Sequence, residues 1–142
     1  MKVIFIGTTG VHHALVAANL LVGQGDDGRY SSLRGFADTG IESSGKPFLV
    51  SDDGRGNQVY SLGVGKDLGL AERAMGQFIN ILGFESSDIM VKKVPIKGDK
   101  LMLLLIALAN IGWLKTISNF LAERLIKWQL RDIKQCVQQV KI

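Results

Sequence analysis

The opening residues constrain the fold of this chain more than any other part of the sequence. Lys2 to Ile6 contains a continuous apolar run, which is typical of a strand covered on both faces in a parallel sheet. The turn Gly7 to Val11 follows, and His12 to Val22 is predicted as an almost wholly apolar helix that ends at Gly23. This order of strand, tight turn and buried helix predicts an α/β fold.

The middle of the chain alternates strand-like and helix-like segments in the same way. Phe48 to Ser51 and Gln58 to Leu62 are β-like and are joined by turn residues, which predicts a hairpin with one edge strand. Leu68 to Leu82 is predicted as a helix and Ile89 to Val94 as a further strand. The alternation predicts right-handed crossovers and a mainly parallel sheet with flanking helices, in a three-layer, Rossmann-like or P-loop-like fold.

Spacing adds detail to the second half of the chain. Asp67 is expected to cap the helix Leu68 to Leu82. Spacings of three and four residues predict that the core face of this helix consists of Ala71, Ala74, Met75, Phe78 and Leu82. Residues 99–121 are predicted to be helical with a break near residues 110–112, and Glu123 to Trp128 alternates in the manner of a last strand.

The length and the apolar runs bound the domain organisation. At 142 residues, without a dividing linker, residues 1–142 are predicted as a single α/β domain that closes with a helix from Leu130 to Lys141. Residues 24–46 lack periodicity and are rich in Gly, Ser and Asp, which is typical of a lid or flexible loop. The run from Leu101 to Leu114 is shorter than the roughly 18–20 residues that span a bilayer. No transmembrane segment is therefore predicted, and this run is expected to be a buried core helix; an interfacial membrane helix is the alternative, but the run has no clear polar face to hold it there.

The net charge of +4 is unevenly distributed. Residues 1–71 carry six basic and seven acidic residues, a charge of −1, whereas residues 72–142 carry eleven and six, a charge of +5. A basic half attracts phosphates, nucleic acid or acidic lipid. However, the lysines at positions 92, 93, 97 and 100 flank a predicted strand and loop, where lysines usually serve as solvated surface. Nucleic acid is therefore disfavoured as a partner.

Cys136 is the one cysteine of the chain. It has no partner for an intrachain disulfide, and a single cysteine is too few for a cysteine-based zinc site. An apolar helix face is its expected position. This cysteine usage fits a reducing compartment, so a cytoplasmic location is expected.

The turn after the first strand is the first candidate site. Unpaired N–H groups and a positive dipole end mark a helix N-terminus, and glycine lets an anion approach such a backbone closely. The two histidines at the helix start are candidates for catalysis, as proton donor, proton acceptor or nucleophile, and no metal is assigned to them because adjacent side chains diverge by roughly 100° on a helix. The candidate binding residues are Gly7, Thr8, Thr9, Gly10 and Val11, and the candidate catalytic residues are His12 and His13.

A Walker A loop is only partly matched by this turn. Counted from Gly7, the positions of the second glycine, the lysine and the Ser/Thr are occupied by His12, His13 and Ala14. Ordinary ATP hydrolysis with magnesium held by the loop is therefore not expected, and no cofactor is identified. A second turn follows another strand and precedes a helix, and its candidate binding residues are Gly63, Gly65 and Lys66.

These motifs, taken together, give the chain a family resemblance. The residues that carry it are Thr9-Gly10-Val11-His12, Val16-Ala17-Ala18, Asp53, Gly56-Asn57, the stretch from Val59 to Gly65, Gly112, Arg124 and the segment from Leu130 to Lys141. In them the chain resembles the uncharacterised small bacterial proteins of the domain of unknown function 3189 family, found mainly in Firmicutes. The family has no established function, so the resemblance implies shared importance of His12, Gly63 and Gly65 but no reaction.

Three hypotheses of function follow from the sequence. The first is a protein that binds a phosphate-bearing small molecule or nucleotide at the first turn, with His12 as the principal polar group. The alternative is a non-enzymatic interaction or regulatory protein, acting as a homo-oligomer or through a basic surface that binds nucleic acid or membrane. The third is a phosphotransfer enzyme that uses His12 or His13, so enzymatic activity stays open.

Overall fold

The computed structural model describes residues 1–95 and 97–140 and contains one mixed sheet. Its strands are β1 (Lys2–Gly7), β2 (Phe48–Asp52), β3 (Gln58–Gly63) and β4 (Ile89–Lys93). The strand order is β2-β3-β1-β4, with β1 parallel to both β3 and β4 and with β2 antiparallel to β3 at one edge. The predicted α/β class, the mainly parallel sheet and the hairpin edge are confirmed.

Helices account for most of the remaining described chain. They are α1 (His13–Leu21), α2 (Thr39–Ser43), α3 (Leu68–Ile81), α4 (Asp99–Ala109), α5 (Lys115–Trp128) and α6 (Leu130–Gln138), with short 3₁₀ turns at Tyr30–Ser32 and Gly112–Leu114. The predicted break near residues 110–112 is confirmed by the turn between α4 and α5. Lys141, the predicted end of the last helix, lies outside the described residues.

The sheet has helices on both faces. Val3 and Phe5 of β1 point into a core cluster shared with Leu15 of α1, Ile126 of α5 and Ile133 of α6. Successive side chains of a strand point to opposite faces, so Ile6 points away from this cluster, and it is fully buried. Helix α3 connects β3 to β4 and packs against β4 and β1. Since right-handed crossovers in opposite directions place their helices on opposite faces, α3 forms the third layer alone.

The predicted last strand, Glu123 to Trp128, is wrong. These residues form the C-terminal half of α5. The buried residues of that helix are Ser118, Ala122 and Ile126, which recur every four positions and therefore form one helical stripe. A six-residue alternation satisfies both periods, and the helical packing on the core decided between them.

The predicted core face of α3 is also partly wrong. Ile79 is its buried residue, whereas Phe78 is 61% exposed and Leu82, just after the helix, is 55% exposed. Asp67 does occupy the N-cap position, but its side chain makes no capping hydrogen bond. The helix carries apolar residues around most of its circumference, so spacing alone did not determine which stripe faces the sheet.

The run from Leu101 to Leu114 is not the buried core helix that was expected. Met102 and Leu105 are buried, but Leu101 and Leu104 of α4 are about half exposed, as is Ile111 in the turn after the helix. None of the helices in the described parts of the chain has the length and apolar character needed to cross a membrane.

A close backbone approach joins β1 to β3 at the ends of both strands. The parallel register pairs Gly7 with Gly63. Gly10, in the turn after β1, then lies so near β3 that a Cβ on it would stand 2.5 Å from the Gly63 nitrogen and 2.9 Å from the Leu62 carbonyl carbon. Only glycine fits this position without moving the backbone.

We therefore expect Gly10→Ala to lower the free energy of unfolding by about 1–3 kcal/mol or more, because the methyl group overpacks two backbone segments. Denaturant unfolding of the purified variant measures this. Gly76→Ala in the middle of α3 is the matched control, since its Cβ meets no atom within 4 Å. The control is expected to gain roughly 0.5–1 kcal/mol from helix propensity. Equal stabilities of the two variants would contradict the close approach.

Candidate functional site

The two glycine turns lie side by side at the carboxyl edge of the sheet. The Val64 N–H donates to the Gly7 carbonyl at 2.9 Å, and the Gly65 N–H donates to the Thr8 carbonyl at 3.2 Å. These bonds extend the β1–β3 ladder beyond both strands. In parallel sheets this edge is where ligands bind, and the structure brings both predicted turns to it.

The residues of the first turn are buried. Thr8, Thr9, Val11, His12 and His13 are each at most 1% exposed. The turn is short, because β1 ends at Gly7 and α1 begins at His13. These side chains are therefore brought together by residues that are neighbours in the sequence. The predicted site is thus a group of interior polar residues, covered in this conformation by another part of the chain.

The side chain of Glu42 covers the turn after β1, and this role was not predicted from the sequence. Its Oε2 accepts a hydrogen bond from the Gly10 N–H at 2.8 Å, and the Val11 N–H is also directed at the carboxylate. The carboxylate thereby occupies the position at the start of α1 that the sequence predicted for an external anion. Glu42 lies 32 residues from Gly10 in a segment without periodicity, so no sequence signal linked the two.

Helix α2 carries Glu42 to the turn. Asp38 caps this helix, because its Oδ1 accepts the N–H groups of Gly40 and Ile41 at 2.9 and 3.0 Å. The Ala37 N–H donates to the Val11 carbonyl at 3.0 Å. Ala37 has φ +54°, alone among the described non-glycine residues in having a positive φ, which costs roughly 1–2 kcal/mol. The backbone strain thus lies directly beside the candidate site.

His12 is the best-connected polar side chain of the turn. Its Nδ1 and the Thr9 hydroxyl form a hydrogen bond of 2.7 Å, and its ring packs edge-on against Phe36 with centroids 5.4 Å apart. Burial, with a smaller effect from the charge of His13, lowers the pKa of His12 to about 3. Burial alone lowers the pKa of His13 to about 4. Both imidazoles are therefore neutral at pH 7.

Several buried polar atoms of this region have no hydrogen-bond partner within the described protein. They are Thr8 Oγ1, His12 Nε2, both ring nitrogens of His13 and Ser61 Oγ. Buried polar groups are almost always paired, and an unpaired one costs about 1–3 kcal/mol. These unpaired atoms form a cluster beside the Gly10 and Val11 amides.

The space left under α2 is small. A cavity of about 10 Å³ is lined by Gly10, Glu42, Lys46, Ser61 and Gly63, among others. This volume holds about one water molecule. A phosphate group therefore has no room at the turn until Glu42 and α2 move away.

The second turn contributes backbone more than side chains. A Cβ on Gly63 would clash with the Gly10 nitrogen and the Glu42 carboxylate, and Gly65 has φ +76°, which favours glycine. Lys66 is exposed, and the structure does not bring it into the small cavity. Lys46 lines that cavity instead and was missed by the sequence analysis.

The arrangement combines backbone N–H donors with two neutral imidazoles. No group of three or more His, Cys, Asp or Glu side chains suited to a metal ion is found among the described residues. The N–H groups of Gly10 and Val11 can donate hydrogen bonds to a negatively charged oxygen. A neutral imidazole at pH 7 can accept a proton from a bound group, provided that it reaches that group.

Comparison with known proteins gives one match. No curated protein and no solved structure matches the chain significantly. The profile of a protein family, described as "Protein of unknown function (DUF3189)", matches residues 2–142. The match covers both glycine turns, the histidine pair, and the segment that carries Glu42. The chain therefore belongs to the DUF3189 family of proteins of unknown function.

Proposed function

We propose that the protein binds a phosphate-bearing small molecule or nucleotide at the turn between β1 and α1, and that Glu42 occupies this anion seat when no ligand is present. The observation that carries the proposal is the hydrogen bond of 2.8 Å from the Gly10 N–H to the Glu42 carboxylate. It indicates that the N–H groups at this turn donate hydrogen bonds to an anionic oxygen. A phosphate oxygen is the closest external equivalent of that group.

The energetics of Glu42 favour exchange with a ligand. Desolvation is the largest influence on this carboxyl and raises its pKa, while the hydrogen bonds from Gly10 and Val11 lower it and offset part of the rise. The charged side chain is therefore held at a net electrostatic cost. An anion that supplies more hydrogen-bond acceptors than a carboxylate gains more from the same amides.

Helix α2 is also suited to move. It has five residues and none of them is buried, so displacing it exposes little apolar surface. Loops with few buried contacts open at low free-energy cost. In this proposal residues 38–46 form the lid of the site, and Glu42 is the side chain that the lid inserts.

The histidines give the opened site its polar floor. His12 Nε2 and both nitrogens of His13 have no protein partner in the described structure. Neutral imidazoles donate one hydrogen bond and accept another, so they suit a phosphate monoester or a ribose hydroxyl. His12 is the principal polar group, and both histidines are the candidates if the bound group undergoes phosphotransfer.

We expect Glu42→Gln to bind phosphate ligands at least tenfold more tightly than the wild type, because the neutral amide competes less well for the Gly10 N–H and repels no phosphate. The probes are inorganic phosphate, AMP and glucose 6-phosphate in a thermal-shift titration. Ligand at 100 times its Kd adds about 2.7 kcal/mol, which raises the Tm of a domain of this size by roughly 5–10 °C.

Glu85→Gln is the matched control, because it removes the same charge in the exposed turn before β4. It is expected to bind as the wild type does. If neither the wild type nor Glu42→Gln is stabilised by any of the three probes at 10 mM or about that concentration, Glu42 is a permanent structural cap and the proposed function is wrong.

The two histidines also predict how stability depends on pH. Their folded pKa values of about 3 and 4 lie below the value near 6.5 of an unfolded histidine. The unfolded chain therefore takes up protons first as the pH falls. The contribution of the neutral histidines to the free energy of unfolding is fully present above about pH 7. Between about pH 6 and 4 the free energy of unfolding falls by roughly 1.4 kcal/mol per pH unit and per histidine. Glu42, whose pKa is raised, offsets part of this loss.

Urea unfolding is expected to show that the free energy of unfolding of the wild type falls by roughly 4 kcal/mol between pH 7 and 5. The His13→Asn variant is expected to lose about half as much over the same range. The imidazole carbon-bound protons of the wild type, followed by NMR, check the same point without a variant. A histidine that titrates near pH 6.5 in the folded protein would contradict the buried, neutral pair.

We also propose a bacterial, cytoplasmic protein. The buried, free thiol of Cys136 donates to the Lys93 carbonyl at 3.3 Å, and a reducing compartment keeps such a thiol free. The bacterial origin rests on the family resemblance alone.

Homodimerisation through α3 is a second candidate function. Leu70, Ala74, Phe78 and Ile81 form one exposed stripe at helical spacing. No charged residue occurs from Ala74 to Phe84. A two-fold interface places the same patch against itself, and an uncharged apolar stripe is self-complementary.

We expect the wild type to elute at twice the 15.5 kDa mass of one chain and Phe78→Glu to elute as a monomer in light scattering, because a buried, unpaired charge at the centre of the stripe weakens the dimer by tenfold or more. Asn80→Glu adds the same charge to α3 away from the stripe and is expected to stay dimeric. A monomeric wild type at 100 µM or about that concentration would exclude this candidate.

A further inference from the structure

We propose that the hairpin of α4 and α5 binds an anionic membrane surface through its outer face. This face is defined by six side chains, Leu104, Ile111, Trp113, Ile117, Phe120 and Trp128. The proposal is independent of the phosphate site, because none of these residues belongs to the turn between β1 and α1 or to its lid.

The two helices expose the same side of the hairpin. Met102 and Leu105 of α4 and Ala122 and Ile126 of α5 all point into one core cluster. The helices pack side by side, and the Ser118 hydroxyl donates to the Leu105 carbonyl at 2.5 Å. Because the inner stripes share a core, the opposite stripes of both helices face away from the protein together.

The outer face is strongly apolar and well exposed. Trp113 is 77% exposed, Trp128 73% and Phe120 59%. Single exposed apolar residues are common on proteins, but a group of large ones along two adjacent helices marks an interaction surface. Tryptophan is the residue most suited to the boundary between lipid headgroups and acyl chains, since its ring is apolar and its N–H is polar.

Basic residues border this apolar surface. No charged residue occurs from Leu101 to Leu114, whereas Lys100, Lys115, Arg124 and Lys127 are exposed. The Arg124 guanidinium lies 5.7 Å from the Phe120 ring centroid, so this positive charge lies next to an aromatic ring of the outer face. Glu123, the one acidic residue from Lys100 to Trp128, has a side chain only 16% exposed and bonds to Lys127 at 3.0 Å.

This combination favours lipid over the other partners of an apolar surface. Helices that lie in a membrane interface pair an apolar stripe with Lys and Arg that meet anionic headgroups. A second copy in a two-fold contact would place Lys115 and Arg124 near their own equivalents with little acid to oppose them. Nucleic-acid interfaces are more polar than this surface.

Vesicle co-sedimentation of the full chain tests the proposal. We expect binding to vesicles of phosphatidylcholine with phosphatidylglycerol at about 30 mol% to be at least tenfold tighter than binding to pure phosphatidylcholine, and to weaken between low and physiological salt. The chain has two tryptophans, both on this face. Trp128→Phe and Trp113→Phe each leave one reporter, and the emission of both is expected to shift to shorter wavelength on the anionic vesicles.

Substitutions separate the apolar and the charge contributions. Trp113→Ser is expected to weaken binding by roughly tenfold, and the double variant Lys115→Glu/Arg124→Glu is expected to lose the preference for anionic vesicles. Phe84→Ser is the matched control, an exposed aromatic residue beyond α3 whose loss is expected to leave vesicle binding unchanged.

Three outcomes would overturn the proposal. One is the absence of co-sedimentation with the anionic vesicles. Another is wild-type binding by Trp113→Ser. The last is a dimeric wild type that Trp113→Ser converts to a monomer, which would assign the face to a second copy. Urea unfolding of each variant, followed by far-UV circular dichroism, reports whether it is folded, so loss of binding is distinguished from loss of structure.

Discussion

The parallel pairing of β1 with β3 is the constraint on which the candidate site depends. Its register sets Gly7 opposite Gly63 and brings the two following turns into backbone contact at Gly10. Side chains at these positions would separate the turns, and with them the amides that converge on Glu42. Glycine is therefore required here to admit a neighbouring backbone, in addition to the approach of an anion that the sequence alone suggested.

The electrostatics of the site follow from its burial. In an interior of low dielectric an isolated charge is costly, so both histidines are neutral, and the Gly10 and Val11 amides stabilise the charge of Glu42. The carboxylate holds α2 in place through polar bonds, whereas α2 itself buries no residue. Most elements of the fold are fixed by apolar packing, but the segment over the candidate site is fixed by hydrogen bonds between a carboxylate and backbone amides.

The parts of the structure that were predicted are those determined by local sequence. The apolar run of β1, its glycine turn and α1 specify one another within about 20 residues, and the turn residues of the hairpin specify its register. Glu42 could not be found in this way, because its role depends on a contact across 32 residues. The predictions of a strand at Glu123–Trp128 and of the inner face of α3 were wrong for a related reason. Both patterns fit two orientations, and only the packing of distant elements selects one.

The anchoring of residues 24–46 limits which part of the segment takes part in the opening that we propose for the site. Tyr30 is buried in the core cluster, and the 3₁₀ turn Tyr30–Ser32 packs against α5, so the first half of the segment is tied to the body of the protein. Ala37, in its strained conformation, follows this anchored part and precedes the Asp38 cap of α2. Opening that starts at Ala37 relieves its strain and leaves the Tyr30 packing intact. In the proposed opening the lid is therefore the half that carries Glu42, and the contact of the 3₁₀ turn Tyr30–Ser32 with α5 keeps its base anchored to the body of the protein.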